Sequence, residues 1–220
     1  MKPGLFITFE GSEGCGKSTQ IGLLEERLKK EGRDVLRLRE PGGTELGEKI
    51  RNLFQHDEAG EGMSPETELL LVNASRAQLV REKIRPALER GEIVLCDRFY
   101  DSTVAYQGYG RGLDLALVRR VIDVAVGDTR PDRTFLISLP RQLAEHRLKI
   151  RSALDEWSDD RMEKSERDFF ERVEEGFFDL NANEGERIHL IEGSRAIEVV
   201  HEEIWAEVET MLAAGEGRGL

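Results

Sequence analysis

One short motif constrains the fold of this 220-residue chain more than any other feature. Residues 11–18 read GSEGCGKS and match the pattern G-x-x-x-x-G-K-[ST]. The apolar residues 5–9 before the motif predict a β-strand, and apolar positions at helical spacing after Lys17 predict an α-helix that ends near Gly32. A glycine-rich turn between a strand and a helix is typical of α/β folds that bind phosphate groups.

The chemistry of this phosphate loop follows from its residue types. Glycines let the backbone N–H groups point inward around phosphate oxygens, and the start of the helix adds partial positive charge. Lys17 is predicted to bridge the β- and γ-phosphates of a nucleoside triphosphate, and Ser18 to bind Mg²⁺. The alternative is a tight turn that binds nothing. The residues predicted to contact the triphosphate are Gly11, Ser12, Glu13, Gly14, Cys15, Gly16, Lys17, Ser18 and Thr19.

Strand and helix patterns alternate along the rest of the chain. This alternation predicts one domain over residues 1–214, with the three layers of a P-loop NTPase fold: a five-stranded parallel sheet with helices on both faces. A charged segment interrupts the pattern, so we predict a short lid over about 147–161 and a flexible tail over 215–220. The further strands are predicted at 35–38, 93–96, 134–137 and 188–191. Helices are predicted at 45–54, 64–90 and 114–126. A further helix is predicted to begin at 140, another to end near 183 after the charged segment, and a last one to lie in the C-terminal segment.

Composition excludes several classes of partner. The chain has 32 basic and 44 acidic residues, a net charge of −12, whereas a general nucleic-acid-binding protein carries a basic surface. No apolar run approaches the roughly 18 residues of a membrane-spanning segment, so no membrane partner is expected. Cys15 and Cys96 have no metal or redox spacing, and the N-terminus is no signal peptide, so a cytoplasmic location is expected.

Arginines near the predicted strand ends indicate a second anion site. Arg39 ends the second strand, Arg98 follows the third, and Arg51 and Arg76 lie on the intervening helices. Ligands of open α/β sheets bind beyond the carboxyl ends of the strands, and arginine suits bidentate contact with phosphate. Each arginine alone could be a solvated surface residue. Together they predict a second phosphate site opposite the first, and therefore phosphoryl transfer between nucleotides.

Asp97 follows a continuous apolar run, in the position of a Walker-B carboxylate. It is predicted to hold Mg²⁺ together with Ser18. The alternative is a strand-end aspartate that caps the next segment.

Five stretches of the sequence resemble the bacterial thymidylate kinases, in the same order and over essentially the whole chain. The stretches REPGGT and YQG separate this family from adenylate and guanylate kinases. The resemblance implies transfer of the γ-phosphate of ATP, with Mg²⁺, to thymidine monophosphate (dTMP). It also implies a homodimer packed through helices beside the monophosphate site. The matching stretches are FEGSEG (9–14), REPGGT (39–44), ASRAQ (74–78), DRF (97–99) and AYQGYGRG (105–112).

The resemblance also implies roles in binding dTMP. Glu13 would accept a hydrogen bond from the sugar 3′-hydroxyl, and Arg98 would bind the phosphate. Arg76 and Gln107 would contact the thymine ring, and Tyr106 would exclude a ribose 2′-hydroxyl by its bulk. The full set implied to bind dTMP is Glu13, Arg39, Glu40, Arg51, Val72, Arg76, Arg98, Thr103, Tyr106 and Gln107.

Basic residues of the lid complete the catalytic set. In bacterial members of this type the phosphate loop carries no arginine, and the lid supplies it; here positions 12–15 hold no basic residue. An arginine that closes over the transferring phosphoryl group stabilises its charge. Some of these lid residues could instead be a solvated helix surface; Arg161, in the stretch DRME (160–163), is matched best. The residues predicted to act in catalysis are Lys17, Arg98, Arg147, Arg151 and Arg161.

Two positions and the length of the lid depart from the family. Val72 stands where the family usually has a phenylalanine that stacks on thymine, so we expect a weaker grip or a looser base preference unless Phe54 or Phe99 substitutes. Ser138 stands where many relatives have aspartate, and we expect only a small effect. The lid is a few residues longer than in close relatives and contains Trp157, either a lid contact or a surface residue.

Three other functions remain open from the sequence. Val72 would suit a kinase for another pyrimidine monophosphate. A nucleotide-binding regulator that has lost transfer would keep the phosphate loop, although the intact Asp97-Arg98 pair and the basic lid argue against it. A GTPase switch would need an Asn-Lys-x-Asp stretch, which the sequence does not contain.

Overall fold

The computed structural model describes residues 4–154 and 167–217. Five parallel strands form one sheet in the order β2-β3-β1-β4-β5. The parallel five-stranded sheet predicted from the alternation is therefore confirmed. The strands are β1 (Leu5–Glu10), β2 (Val35–Arg39), β3 (Ile93–Asp97), β4 (Arg133–Ser138) and β5 (Ile188–Glu192).

Helices cover both faces of this sheet. Two π-helical segments, at Val80–Ile84 and Val104–Gly110, and a 3₁₀ turn at Glu58–Gly60 join or follow them. The α-helices are α1 (Lys17–Lys30), α2 (Glu45–Gln55), α3 (Pro65–Leu79), α4 (Arg85–Glu89), α5 (Tyr100–Thr103), α6 (Leu115–Val126), α7 (Arg141–Leu154), α8 (Arg167–Asn183) and α9 (Ile197–Gly217).

The core lies in two layers, one on each face of the sheet. Alternate residues of β1 point to opposite faces, so Phe6 enters one apolar cluster and Ile7 the other. The Phe6 cluster contains residues of α3, α6 and α8, whereas the Ile7 cluster contains residues of α1 and α9. Because both faces are covered, the central strand is apolar almost throughout, as expected for a parallel sheet.

Strand order brings the segments of the candidate site together at the carboxyl ends of the strands. β1 lies between β3 and β4, and the register places Phe9 beside Asp97 and Arg39 beside Asp97. The segments after β1, β2 and β3 therefore leave the sheet next to one another. This is where ligands of open α/β sheets bind.

The helix predicted over 64–90 begins as expected but is not uniform. The hydroxyl of Ser64 accepts a hydrogen bond from the amide of Thr67, with Pro65 in the first turn. A π-helical segment then separates α3 from α4. Pro86 lacks an amide hydrogen and its ring crowds the carbonyl one turn earlier, which accounts for the change of helical register before it.

The stretch from 100 to 110 had no predicted element, yet it forms α5 and the second π-helical segment. Its glycines prevented the prediction of a helix from the sequence, since glycine usually interrupts helices. Here they permit close packing. A Cβ on Gly108 would lie 2.6 Å from the Leu115 side chain, and one on Gly110 would lie 2.6 Å from the Phe169 ring of α8.

Two helix ends differ from the predicted boundaries. α7 continues to Leu154, so the backbone of the first part of the predicted lid is helical. α9 continues to Gly217, three residues into the predicted tail. Among the helices in the described ranges, none is both long and apolar enough to cross a membrane.

Candidate active site

The phosphate loop follows β1 and wraps around the side chain of Lys17. Gly11, Gly14 and Gly16 adopt φ values of 131°, 73° and 109°, a region that favours glycine. The Lys17 ammonium lies 3.1 Å from the carbonyl oxygen of Gly11 and 2.8 Å from that of Ser12, and the residue is 6% exposed. The loop thus has the conformation expected of a phosphate-binding turn, with Thr19 exposed at its end on α1.

The charge of Lys17 is maintained in this buried position. Burial and the positive charge of Arg98 lower the pKa of Lys17, whereas Cys15, Glu13 and Asp97 raise it. The result is a pKa above the ordinary value of lysine. Lys17 therefore remains protonated, which is the form that binds phosphate.

Ser18 and Asp97 meet as the sequence predicted for a magnesium site. The Ser18 hydroxyl donates a hydrogen bond to Asp97 Oδ2 at 3.0 Å. Both offer oxygen ligands, which Mg²⁺ prefers, and both lie beside the phosphate loop. The described residues contain no group of three or more His, Cys, Asp or Glu side chains able to hold a metal. The pair fits an ion that takes its other ligands from phosphate and water.

Arg98 connects the phosphate loop to the predicted second anion site. Its backbone is left-handed, with φ 66°, and its side chain is 13% exposed. The guanidinium donates to Glu13 Oε1 at 2.7 Å and to the Ser102 hydroxyl at 3.0 Å, and it lies 5.2 Å above the Tyr106 ring. Because Glu13 belongs to the phosphate loop, the two predicted sites are adjacent.

An open cleft lies beside Arg98, with a volume of about 610 Å³ that includes the solvent-filled space at its entrance. Eight of the ten residues implied to bind dTMP line it: Glu13, Glu40, Val72, Arg76, Arg98, Thr103, Tyr106 and Gln107. The remaining two, Arg39 and Arg51, both donate to the carbonyl oxygen of Pro41, which also lines the cleft. The structure thus brings together residues that the sequence separates by nearly the length of half the chain.

Arg76 is fixed in the wall of this cleft and is 3% exposed. Nε and Nη2 contact Glu40 Oε2 at 2.7 and 2.6 Å, and Nη2 also donates to the carbonyl of Phe99 at 3.1 Å. Nη1 donates to Asn73 and Thr103 at 3.0 and 2.9 Å. Four of the five N–H groups of the guanidinium thus donate to protein acceptors, and Nη2 also pairs with Glu40. A contact with a bound base would therefore compete with these partners.

Glu40 has an uncompensated oxygen beside this arginine. Its Oε1 is buried without a hydrogen-bond partner. Burial raises the pKa of Glu40, and Arg76 opposes the rise.

Gln107 is held by a second charge pair, of which the carboxylate is buried. Its amide nitrogen donates to Glu68 Oε2 at 3.3 Å, and Arg111 pairs with the same carboxylate at 3.0 Å. Glu68 is 1% exposed and was not predicted as a site residue. Its position in the first turns of α3, where polar residues are common, gave no signal of burial.

The aromatic surface of the cleft comes from residues other than position 72. Val72 is 6% exposed and lines the cleft, together with Phe54 and Phe99, the two aromatic residues named above as substitutes. Phe170 of α8 also lines it and was not predicted. Its only sequence signal is the aromatic pair that it forms with Phe169.

The predicted lid arginines have different outcomes. Arg147 of α7 donates to the carbonyl oxygens of Cys15 at 3.4 Å and Gly193 at 3.2 Å, so it lies against the phosphate loop. Arg151 lies on the helical backbone of α7, and its side chain is outside the described part of the structure. Arg161 and Trp157 lie outside the described residues.

Ser138, the second departure from the family, ends β4. Its carbonyl oxygen accepts a hydrogen bond from the amide of Gly193 at 2.7 Å. This contact is made by the backbone and is independent of the side chain.

Comparisons with known proteins agree with this geometry. A sequence model of the thymidylate kinase family matches residues 9–204. The thymidylate kinase of Deinococcus radiodurans is 47% identical over 208 residues, covering 94% of this chain and 98% of its own. That of Kosmotoga olearia is 43% identical over 203 residues, covering 92% and 94%. The crystal structure of thymidylate kinase from Ehrlichia chaffeensis aligns with a TM-score of 0.74 and 37% identity, covering 94% of this chain and 99% of that one. The chain therefore belongs to the thymidylate kinase family.

Proposed function

We propose that this protein phosphorylates dTMP to dTDP by in-line transfer of the γ-phosphate of ATP, a step toward dTTP. The observation that carries the proposal is the ion pair between Arg98, at the wall of the cleft, and Glu13 of the phosphate loop. It joins a triphosphate-binding turn to a second site with a buried cation, which is the arrangement that transfer between two nucleotides requires.

On the donor side, the loop N–H groups and Lys17 bind the phosphates of ATP. Ser18 and Asp97 would hold Mg²⁺, which supplies neutralisation of phosphate charge when bound. Lys17 already points into the loop, so the site is organised before the nucleotide enters. Arg147, against the same loop, contributes positive charge on the side of α7.

On the acceptor side, Arg98 binds the dTMP phosphate, with Arg39 and Arg51 in support. The phosphate of dTMP is already a nucleophile, so the protein needs no strong general base. Its task is to align acceptor and donor and to stabilise charge on the transferring group. Arg151 and Arg161 of the proposed lid would add charge and exclude water on closure.

The other acceptor contacts select the nucleoside. Glu13 accepts from the 3′-hydroxyl, and Arg76 and Gln107 contact the base, with Thr103 and Glu40 beside them. Tyr106 supports a preference for deoxyribose, since its ring packs edge-on against Phe169 at 6.0 Å and cannot easily yield space. Val72 contributes aliphatic contact.

An assay of ADP release tests the proposal. The protein is given ATP and Mg²⁺ with dTMP, dUMP, UMP, CMP, AMP or GMP in parallel reactions. We expect high turnover with dTMP alone. Comparable turnover with dUMP or another pyrimidine would favour the wider specificity that Val72 suggests. Binding of ATP without turnover on any acceptor would instead favour the regulator.

We also propose that the protein is a cytoplasmic homodimer. Leu70 of α3 and Val124 of α6 support this, because they are 59% and 78% exposed and their helices pack beside one another. Light scattering after size-exclusion chromatography would give the mass of a dimer. Leu70→Glu with Val124→Glu should shift it to that of one chain, and an unchanged mass would exclude these residues from the interface.

A further inference from the structure

Glu10 is a buried carboxylate to which neither half of the site gives a role. It ends β1 and is 1% exposed. Its Oε1 accepts hydrogen bonds from the amides of Phe99 at 2.7 Å and Ser102 at 3.2 Å. Its Oε2 accepts from the Ser102 hydroxyl at 2.5 Å. One side chain of β1 therefore holds three donors of the segment that follows Arg98.

These hydrogen bonds supply what the segment itself lacks. The first N–H groups of a helix have no partner within the helix, and a side chain at the preceding residue usually accepts one of them. Phe99 precedes α5 and has no such side chain. Glu10, on β1, supplies the missing acceptor instead. It also secures the amide next to the left-handed backbone of Arg98, a conformation that persists only where its surroundings hold it.

The hydroxyl of Ser102 passes this restraint to the Arg98 side chain. A hydroxyl has a single hydrogen, and here it points to Glu10. Its oxygen is then left to accept the hydrogen bond from Arg98 Nη1 at 3.0 Å. The guanidinium is therefore held on one side by Ser102 and on the other by Glu13, at 2.7 Å.

We propose that Glu10 is a positioning residue for the acceptor phosphate: it orients the Ser102 hydroxyl, which holds the Arg98 guanidinium at the wall of the cleft. The inference rests on the proposed function insofar as Arg98 binds the dTMP phosphate. Glu10 acts through these two residues. Its loss therefore affects the binding of dTMP and leaves the binding of ATP unchanged.

Glu10→Gln tests the orientation without changing the shape of the side chain. Its amide oxygen still accepts from the two backbone amides, but its NH₂ group replaces the acceptor of the Ser102 hydroxyl. We expect the KM for dTMP to rise about tenfold, the scale of one hydrogen bond to a charged group. The KM for ATP and the melting temperature stay near those of the unmodified protein. Ser102→Ala, which removes the same link, should give the same pattern and serves if Glu10→Gln fails to fold.

Asp132→Asn provides a matched control at the other end of β1. Asp132 also accepts a hydrogen bond from a backbone amide, that of Phe6 at 2.7 Å. Phe6 lies at the amino end of β1, whereas Glu10 lies at its carboxyl end. We expect this variant to lower the melting temperature with an unchanged KM for dTMP. The assays are run at pH 8, because burial and the charge of Asp101 raise the pKa of Glu10 to about 7.

Arg98→Ala separates the inference from the proposed function. If Glu10 acts through Arg98, adding Glu10→Gln to Arg98→Ala changes the KM for dTMP by less than about twofold, since coupled residues are not additive. Full additivity of the two variants would overturn the inference while leaving Arg98 in place. So would a rise in KM with Arg98→Ala alone and none with Glu10→Gln or Ser102→Ala. If Arg98→Ala leaves the KM for dTMP unchanged, the assignment of Arg98 itself is wrong.

Discussion

The phosphate loop and the cleft beside Arg98, where we propose that the acceptor binds, are built in opposite ways. The loop is one continuous stretch, residues 11–19, in which backbone groups and the side chain of Lys17 form the site. The cleft is assembled from side chains of several elements, among them α2, α3 and the segment after β3. Its charges are buried in pairs, such as Arg76 with Glu40, at 2.6 Å.

This difference has a physical consequence. A site made of backbone groups depends on local conformation, and a few glycines and one lysine are sufficient to specify it. A site made of buried side-chain pairs depends on packing across the domain, because each charge needs its partner at close range. We therefore expect donor binding to be sensitive to few positions and acceptor binding to respond to changes far from the cleft.

Removing the lysine side chain that the loop encloses should have the largest effect. Lys17→Met deletes the charge that the loop encloses, and we expect the transfer rate to fall by at least about a hundredfold, the scale for loss of a preorganised donor. The melting temperature should change little. Lys49→Met is the matched control and should retain full activity, because Lys49 is an exposed lysine of α2 that pairs with Glu45 at 3.2 Å. Substantial turnover by the Lys17 variant would refute the role of this residue.

The extent to which the sequence predicted each region follows the same contrast. The phosphate loop, the strands and the meeting of Ser18 with Asp97 were predicted, because motif spacing and period-two patterns are local. The resemblance supplied the residues of the cleft. The partners that hold them were missed, including Glu68, Ser102 and Phe170, since burial of a polar or aromatic residue on a helix depends on contacts between distant segments. The helix over 100–110 was missed because its glycines serve close packing.

Packing of that glycine-rich segment against α8 gives a second test of the contrast. Gly110→Ala would place its Cβ 2.6 Å from the Phe169 ring and 2.8 Å from Val173. Overpacking of this kind costs about 1–3 kcal/mol, so the free energy of unfolding should fall by that amount. Because Tyr106 and Gln107 belong to this segment, the KM for dTMP should rise several-fold while the KM for ATP does not.

Gly22→Ala is the control for this variant. Gly22 lies in α1, and among the described side chains a Cβ there would meet that of Arg37, at the ordinary contact distance of 3.7 Å. Alanine is the better helix former, so this variant should be as stable as the original protein or more so. An equal rise in both KM values for Gly110→Ala would show that the two regions are not independent.

Tyr106 tests whether the cleft selects the sugar by bulk. In Tyr106→Ala we expect the ratio of kcat/KM for UMP to that for dUMP to rise about tenfold, the effect of relieving a clash of about 1.4 kcal/mol. The two substrates differ only in the 2′-hydroxyl, so any loss of stability affects both equally. The ring also lies under Arg98 and beside Phe177, and the ratio removes those contributions from the comparison. An unchanged ratio would exclude steric selection by this residue.

Val72→Phe should give the smallest change, and its sign is informative. An aromatic ring stacked on a base is worth about 1–3 kcal/mol. Enlarging the side chain has an opposing cost, because Val72 is buried and only 6% exposed. Overpacking costs about 1–3 kcal/mol where the surrounding residues cannot move. Phe54, Phe99 and Phe170 already supply aromatic surface to the cleft, so we expect the KM for dTMP to fall by no more than about threefold. Steady-state kinetics with dTMP and dUMP measure this, and Val72→Ile controls for added volume without a ring. A fall of about a hundredfold would show that the cleft lacks a stacking partner and that base affinity resides in a single position. A rise in the KM for dTMP would show that the cost of overpacking exceeds any gain from stacking. The cleft would then depend on packing even more than the contrast with the phosphate loop requires.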